Sequence, residues 1–131
     1  MAILDEKYTL SDGTSIPKIG LGTWLMDNAE AAGAVRDAVA CGYRMIDTAQ
    51  AYGNEVGVGE GIRSCGIARD QLFVGSKIAA DLKDYESARA SIDKTLQKMG
   101  LDYLDQMIVH SPQPWVEVNQ SNNRHGGGNL E

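Results

Sequence analysis

The sequence predicts an α/β fold of parallel strands and, within that class, the N-terminal part of a TIM (β/α)8 barrel. Short apolar segments alternate along the chain with longer segments whose apolar residues recur at helical spacing. This alternation is typical of parallel strands joined by right-handed helical crossovers. In addition, polar residues close three of the apolar segments, namely Asp47, Lys77 and His110. Because barrel active sites are built at the carboxyl ends of the strands, these polar ends favour a barrel over an open doubly wound sheet.

A hairpin and four parallel strands are expected. The hairpin is predicted over residues 8–17, because Asp12-Gly13 tolerates the positive φ angles of a tight turn. An open dinucleotide-binding sheet usually carries G-x-G-x-x-G after its first strand, and the stretch from Gly20 to Leu25 lacks the third glycine. The parallel strands are expected at about 19–23, 44–47, 72–77 and 104–110.

Three helices are expected between these strands, all on one face of the sheet. The first begins with Asn28 as its N-cap and ends at Gly42, and the second extends from Asn54 to about Cys65. Glycine costs roughly 1 kcal/mol relative to alanine inside a helix, which weakens the second prediction. The glycines concerned are Gly57, Gly59 and Gly61.

The third helix is the clearest, and it is predicted from Asp84 to Met99. The hairpin is expected to cover the N-terminal end of the barrel. The apolar face of the third helix is expected to comprise Tyr85, Ala88, Ile92, Leu96 and Met99.

Composition argues against several classes of partner. The chain has 131 residues, which usually form one domain, and a formal net charge of -6. Nucleic acids and anionic membranes bind basic patches, so neither is expected as a partner. Cys41 and Cys65 lack the spacing of a zinc site or a disulfide framework, and no metal is expected. With no apolar leader over residues 1–10 and no run of membrane-spanning length, a cytoplasmic location is expected.

Four residues at or near strand ends are candidates for chemistry, although each alone has an ordinary structural explanation. Asp47 can cap a loop, Tyr52 can pack in the loop before the second helix, and His110 can be a satisfied structural histidine. Lys77 is the least ordinary of the four, because a lysine seldom ends a buried strand unless it is paired.

Together the four residues suit the reduction of a carbonyl group. A tyrosine titrates near ~10 and is a poor acid at neutral pH, but a nearby ammonium group favours its phenolate form. Lys77 can supply that ammonium, Asp47 can hold it in place, and His110 can orient a carbonyl by donating a hydrogen bond. The proton then comes from Tyr52, and the hydride must come from a cofactor.

Several motifs give the chain a resemblance to the aldo-keto reductase family. The segment from Gly42 to Glu55, GYRMIDTAQAYGNE, is similar to the family signature G-[FY]-R-x-x-D-T-A-x-x-Y-x-N-E. Residues 72–77 are similar to the family's lysine strand, and parts of 101–112 are similar to its histidine strand. Gly20 to Trp24 also fits, and the resemblance extends from about Tyr8 to Trp115.

The resemblance implies an NADPH-dependent reductase of aldehydes or ketones with a small-molecule carbonyl substrate. It makes Tyr52 the general acid, which Lys77 and Asp47 tune, and it has His110 orient the carbonyl.

It also implies binding residues. Cofactor contacts are implied at Gly22, Thr23 and Asp47, beside the nicotinamide ribose. Trp24 and Trp115 are implied as walls of the substrate pocket, with ordinary packing as the alternative for both.

A complete (β/α)8 barrel typically needs ~250 residues. Residues 1–131 are therefore interpreted as the N-terminal half of one truncated barrel domain, with the family's other cofactor contacts in the second half. The complete protein is expected to be a monomer, whereas an isolated half barrel would expose two sheet edges and self-associate. Two other functions stay open: an inactive truncated barrel with a structural or regulatory role, and a barrel hydrolase or isomerase in which Lys77 forms a Schiff base. The tyrosine motif argues against the hydrolase or isomerase.

Overall fold

The computed structural model describes residues 2–112, and this part of the chain contains six strands and three α-helices. Short 3-10 helices lie at Ile3–Asp5, Gln50–Tyr52 and Arg69–Gln71. In chain order, the strands and α-helices are β1 (Lys7–Thr9), β2 (Ser15–Pro17), β3 (Leu21–Gly22), α1 (Asn28–Ala40), β4 (Met45–Asp47), α2 (Glu55–Ser64), β5 (Phe73–Ile78), α3 (Tyr85–Met99) and β6 (Gln106–Val109).

The strands β3 to β6 form one sheet in which every neighbouring pair is parallel and the spatial order follows the chain order. In its centre, Ile46 of β4 pairs with Leu21 on one side and with Val74 on the other. The predicted parallel order is therefore confirmed. Three of the four strands are shorter than expected, whereas β5 has the expected length, and β3 comprises only two residues because the chain turns at Thr23.

The predicted hairpin is also present. β1 and β2 pair antiparallel, with Tyr8 opposite Ile16. The Asp12 carboxylate accepts a hydrogen bond from the backbone N–H of Thr14 at 2.8 Å, and Gly13 has a φ of 86°. The Asp-Gly pair thus forms the turn, and its glycine adopts the positive φ angle on which the prediction was based. Coverage of the N-terminal end of a complete barrel by this hairpin stays a prediction.

All three helices pack on one face of the sheet, around a common buried cluster. Val35 of α1, Ile62 of α2 and Met99 of α3 belong to this cluster, together with the strand residues Ile46 and Val74. None of these five residues is more than 3% exposed. Side chains alternate along a strand, so the residues next to Ile46 and Val74 point to the face away from the helices.

The glycines of α2 lie where this helix approaches its neighbours. A Cβ atom on Gly57 would fall on the backbone of Asn28, and one on Gly59 would fall on the backbone of Met99. The cost of glycine inside the helix is thus offset by a close packing that a side chain would prevent. The predicted helix is confirmed, with bounds Glu55–Ser64.

The predicted N-cap of α1 is wrong by one residue. The N-cap is Asp27, whose carboxylate accepts from the N–H of Glu30, while the Glu30 carboxylate accepts from the N–H of Asp27. This reciprocal capping box satisfies two N–H groups at once. The side chain of Asn28 instead accepts from the backbone N–H of Gly57 at 2.8 Å and ties α1 to α2.

The predicted apolar face of α3 is wrong at its first residue. Tyr85 is 75% exposed, because the chain is only beginning its helix there, directly after the N-cap Asp84. Thr95, which the apolar pattern omitted, is 1% exposed. Its burial depends on a hydrogen-bond partner in α2, which an apolar periodicity within α3 cannot reveal.

Candidate active site

Lys77 is the centre of a polar group at the carboxyl end of the sheet. Its ammonium donates to the Asp47 carboxylate at 2.6 Å and to the Thr48 carbonyl at 2.8 Å. β4 and β5 are adjacent and parallel, so residues near their carboxyl ends meet at the same edge. The side chain of Lys77 is 12% exposed and that of Asp47 is 32% exposed, so the lysine is largely shielded from water whereas the aspartate is partly accessible. This pairing accounts for a lysine in a strand that is otherwise buried.

Tyr52 lies at the end of the 3-10 helix between β4 and α2. The Lys77 ammonium donates to its hydroxyl at 3.4 Å and lies 5.0 Å from the centroid of its ring. One ammonium group therefore contacts both the tyrosine hydroxyl and the carboxylate of Asp47.

His110 follows β6 and lies beside Tyr52, with the ring centroids 5.8 Å apart and the ring planes at 78°. Burial lowers the pKa of His110 below its ordinary value, the ammonium of Lys77 lowers it further, and the carboxylate of Asp47 opposes the shift. The neutral imidazole is thus favoured near neutral pH, and it has one N–H to donate. The structure brings all four candidate residues together, while their catalytic roles stay predictions.

The residues predicted to contact a cofactor lie at the end of β3. Gly22 pairs with Asp47 across the sheet, and nothing lies within 4 Å of the position that a Cβ atom on Gly22 would take. Thr23 is fully buried, and its hydroxyl donates to the backbone carbonyl of Asp47 at 3.0 Å. Thr23 therefore holds the backbone of Asp47 in place, while the side chain of Asp47 is partly exposed.

Of the two residues predicted to line a substrate pocket, only Trp24 is among the described residues. Trp24 lies in the turn that follows β3 and is 53% exposed. Asn54 holds this turn, because its side-chain amide donates to the carbonyls of Thr23 at 2.7 Å and Met26 at 3.1 Å. Trp115 lies outside the described residues.

Sequence reasoning missed a buried polar network on the helix side of β5. Glu55 is 3% exposed and accepts hydrogen bonds from the hydroxyls of Ser76 at 2.7 Å and Thr95 at 3.0 Å. The side-chain amide of Gln50 donates to Thr95 at 3.2 Å. The available signal was Ser76 alone, which interrupts a strand predicted to be buried, since a buried hydroxyl needs a partner.

Other features of the described residues bear on the kind of site. A cleft of about 300 Å³ lies along α3, and none of the four candidate catalytic residues lines it; its walls include Gln50, Ser91, Lys94 and Lys98. Over residues 2–112, no group of His, Cys, Asp or Glu side chains is suited to hold a metal ion. No helix in this part of the chain is long and apolar enough to cross a membrane.

Comparison with known proteins identifies the family. Residues 18–122 match the model of the aldo/keto reductase family. The chain therefore belongs to the aldo/keto reductase family, and the predicted resemblance is confirmed. Among curated relatives, the methylglyoxal reductase DkgA of Salmonella typhimurium is 41% identical over 108 residues, which are 82% of this chain and 38% of that protein. The chain spans about two fifths of the length of the curated relatives that it matches.

Solved structures give the same result for the fold. An aldo/keto reductase from Brucella melitensis superposes with a TM-score of 0.81 at 38% identity, over 89% of this chain and 49% of that one. An aldo-keto reductase from Bombyx mori, solved in complex with NADP, superposes with a TM-score of 0.78 at 35% identity, over 82% of this chain and 38% of that one. These neighbours are barrels of the family, and the parallel α/β unit described here corresponds to part of such a barrel.

Proposed function

We propose that this chain carries the proton-donating part of a site that reduces aldehydes or ketones to alcohols, with the hydride from NADPH and the proton from Tyr52. One observation carries the proposal: the Lys77 ammonium contacts both the Tyr52 hydroxyl and the Asp47 carboxylate. This arrangement prepares a tyrosine to act as an acid, because the ammonium stabilises the charge left on the phenolate.

The proton moves between two oxygen atoms. The carbonyl carbon gains the hydride, and the O–H bond of Tyr52 breaks as an O–H bond forms on the carbonyl oxygen. The product is the alcohol, and solvent returns a proton to Tyr52. The Lys77 ammonium keeps its position, because the Asp47 carboxylate and the carbonyl of Thr48 hold it.

His110 orients the carbonyl in this proposal. Its imidazole lies next to the Tyr52 ring, and its pKa is lowered, chiefly by burial, so the neutral form is available to donate one N–H. A hydrogen bond from His110 to the carbonyl oxygen would hold that oxygen at the Tyr52 hydroxyl. The same bond would stabilise the charge that develops on the oxygen in the transition state.

Features of the β3 end fit a dinucleotide. In dinucleotide sites a carboxylate accepts a hydrogen bond from a ribose hydroxyl, and the partly exposed side chain of Asp47 carries such a carboxylate. Gly22 would leave room for the ligand beside it, and Thr23 would act through its hydrogen bond to Asp47. When bound, NADPH supplies the hydride. The NADP complex of the Bombyx mori relative supports this choice of cofactor.

The proposed substrate is a small carbonyl compound. The exposed ring of Trp24 lies after β3 and offers an apolar wall, and Trp115 is proposed for the same pocket. The relative named methylglyoxal reductase supports a small aldehyde as the substrate.

A hybrid barrel tests the proposal, with this chain in place of the matched segment of the Salmonella typhimurium enzyme. We expect the hybrid to oxidise NADPH in the presence of methylglyoxal. Tyr52→Phe should lower kcat by about 10²–10⁴-fold, which is the usual contribution of a general acid, and should leave NADPH affinity unchanged. The matched control is Tyr85→Phe, because Tyr85 is 75% exposed. Full turnover by Tyr52→Phe would refute the proposal, whereas a folded hybrid that binds NADPH without reducing the aldehyde would favour a non-catalytic role.

A further inference from the structure

The turn that carries Tyr52 has little regular structure of its own. This turn, Gln50–Tyr52, is called the tyrosine turn below. Its backbone hydrogen bonds run from Tyr52 N–H to the Ala49 carbonyl at 3.1 Å and from Gly53 N–H to the Gln50 carbonyl at 3.4 Å. One short 3-10 turn has poor hydrogen-bond geometry and cannot by itself fix the direction of the side chain at its end. Contacts from side chains must supply that constraint.

Gln50 makes such contacts on both sides of its amide. Its carbonyl oxygen accepts from the backbone N–H of Ala79 at 2.7 Å. Its NH₂ group donates to the hydroxyls of Ser91 at 2.9 Å and Thr95 at 3.2 Å. Ala79 is two residues beyond Lys77, so Gln50 joins the tyrosine turn to the lysine-bearing segment as well as to α3.

The hydroxyl of Thr95 extends this connection to the residue before Lys77. Thr95 donates to Glu55 at 3.0 Å, and Ser76 donates to the same carboxylate at 2.7 Å. Glu55, Ser76 and Thr95 are each at most 3% exposed. The tyrosine turn and the β5 residue next to Lys77 are therefore held by one buried network.

The contact that this network supports is sensitive to small movements. The Lys77 ammonium and the Tyr52 hydroxyl are 3.4 Å apart, at the long end of hydrogen-bond distances. A slight shift of the tyrosine turn would break the contact. A misplacement of roughly 1 Å in an active site can cost about 100-fold in rate.

We propose that Gln50 is a positioning residue for the proton donor: its three hydrogen bonds hold the tyrosine turn so that the Tyr52 hydroxyl stays at Lys77. The inference rests on the proposed function, in which Tyr52 gives the proton. Gln50 lines the cleft along α3, which none of the candidate catalytic residues lines, and it therefore acts through Tyr52.

The first test is structural and uses the 131-residue chain. Gln50→Met keeps the length of the side chain and removes all three hydrogen bonds, whereas Gln50→Glu keeps the acceptor for the Ala79 N–H. The readout is the nuclear Overhauser effect between the rings of Tyr52 and His110, whose centroids are 5.8 Å apart. We expect the effect to be lost in Gln50→Met and largely kept in Gln50→Glu, with unchanged circular dichroism in both.

The second test is kinetic and uses the hybrid barrel. We expect Gln50→Met to lower kcat by about 10- to 100-fold while the KM values for aldehyde and NADPH change little, because proton transfer is misaligned and binding is not. Gln50→Glu should recover part of kcat. If Gln50→Met does not fold, Ser91→Ala removes one acceptor and should lower kcat by about two- to tenfold, the equivalent of one hydrogen bond.

The outcomes separate the two proposals. Wild-type kcat and an intact Tyr52–His110 contact in Gln50→Met, or in Ser91→Ala where it takes that variant's place, would overturn the positioning role while Tyr52→Phe stays inactive. A rise in KM with unchanged kcat would overturn it as well. Turnover that persists in Tyr52→Phe would instead overturn the proposed function.

Discussion

Gly59 of α2 lies directly against the backbone of Met99 at the end of α3, where a Cβ atom could not fit. Gly59 and Met99 are both buried, and the contact lets the two helices approach closely beneath the strands that carry the site. The glycine is therefore a packing requirement at this position, although glycine is a poor helix former in isolation.

We expect Gly59→Ala to lower the free energy of unfolding by about 1–3 kcal/mol, the usual cost of overpacking a buried contact. Urea denaturation followed by circular dichroism measures it. The matched control is Gly33→Ala in α1, since a Cβ atom there would meet nothing within 4 Å. At such a site alanine should stabilise by about 0.4–1 kcal/mol, because it restricts the unfolded chain. Stabilisation by Gly59→Ala would show that the helices separate easily and that the close contact is unimportant.

The pattern of apolar and polar segments was sufficient to predict the parallel sheet, the hairpin and the three helices. These features depend on local periodicity and on turn residues such as Asp12-Gly13, which one stretch of chain contains in full. The candidate residues at strand ends could also be predicted from the sequence, because parallel strands bring their carboxyl ends to one edge. Asp47 and Lys77 meet for that reason.

The parts that sequence reasoning missed depend on pairs of residues far apart in the chain. Gln50 and Thr95 are 45 positions apart, and neither residue type indicates its partner. Gly59 weakens the prediction of α2 from the sequence alone, because the neighbour that requires a glycine, Met99, belongs to another helix. The Asp27 cap differs, since Asp27 and Glu30 show the capping-box spacing in the sequence itself, although Asn28 is an equally good N-cap residue type.

The ion pair at the site leads to a prediction about kinetics in the hybrid barrel. Lys77→Met removes the ammonium at the Tyr52 hydroxyl, so kcat should fall on the order of 10²-fold or more. Asp47→Asn should lower kcat less and weaken NADPH binding more, because the Asp47 side chain is 32% exposed whereas the Lys77 side chain is 12% exposed. Steady-state kinetics and fluorescence titration with NADPH distinguish the two effects. Equal losses of affinity in both variants would contradict the assignment of Asp47 to the cofactor edge.

The charges around His110 lead to a prediction about its titration. Lys77 lowers the pKa of His110 and Asp47 raises it, after the larger effect of burial. Lys77→Met should therefore raise the pKa of His110, and Asp47→Asn should lower it. Histidine NMR signals followed against pH measure both shifts. A His125→Gln background removes the signals of the second histidine. Shifts of the same sign in both variants would contradict the arrangement of charges around His110.

The same pKa shift predicts how stability depends on pH. The pKa of His110 is lower in the folded state than its ordinary value, so the unfolded state binds a proton first as pH falls. Stability is thus unaffected by His110 well above that ordinary value and is lost as pH falls through it toward the folded-state pKa. We expect His110→Gln to lose less stability than the parent chain between neutral and mildly acidic pH, as measured by urea denaturation. An identical pH dependence in the two proteins would show that protonation of His110 is not coupled to folding.

The last prediction concerns the activity of residues 1–131 on their own, which depends on holding the cofactor as well as on delivering the proton. The residues proposed to deliver the proton lie together in this segment, which spans about two fifths of the relatives that it matches, whereas a complete barrel typically needs ~250 residues. Hydride transfer depends on holding the nicotinamide against the carbonyl carbon, and such positioning can supply roughly 7–11 kcal/mol of barrier reduction. The proposed cofactor residues of this segment, Asp47 and Gly22, lie at one sheet edge and would provide only part of the surface that this requires. We therefore expect negligible NADPH oxidation by the isolated 131-residue polypeptide with methylglyoxal, measured by absorbance over a range of protein concentrations.

The hybrid barrel is the positive control for this measurement. Substantial turnover by the isolated polypeptide that is lost in Tyr52→Phe would show that this segment, alone or self-associated, holds the cofactor without a second half.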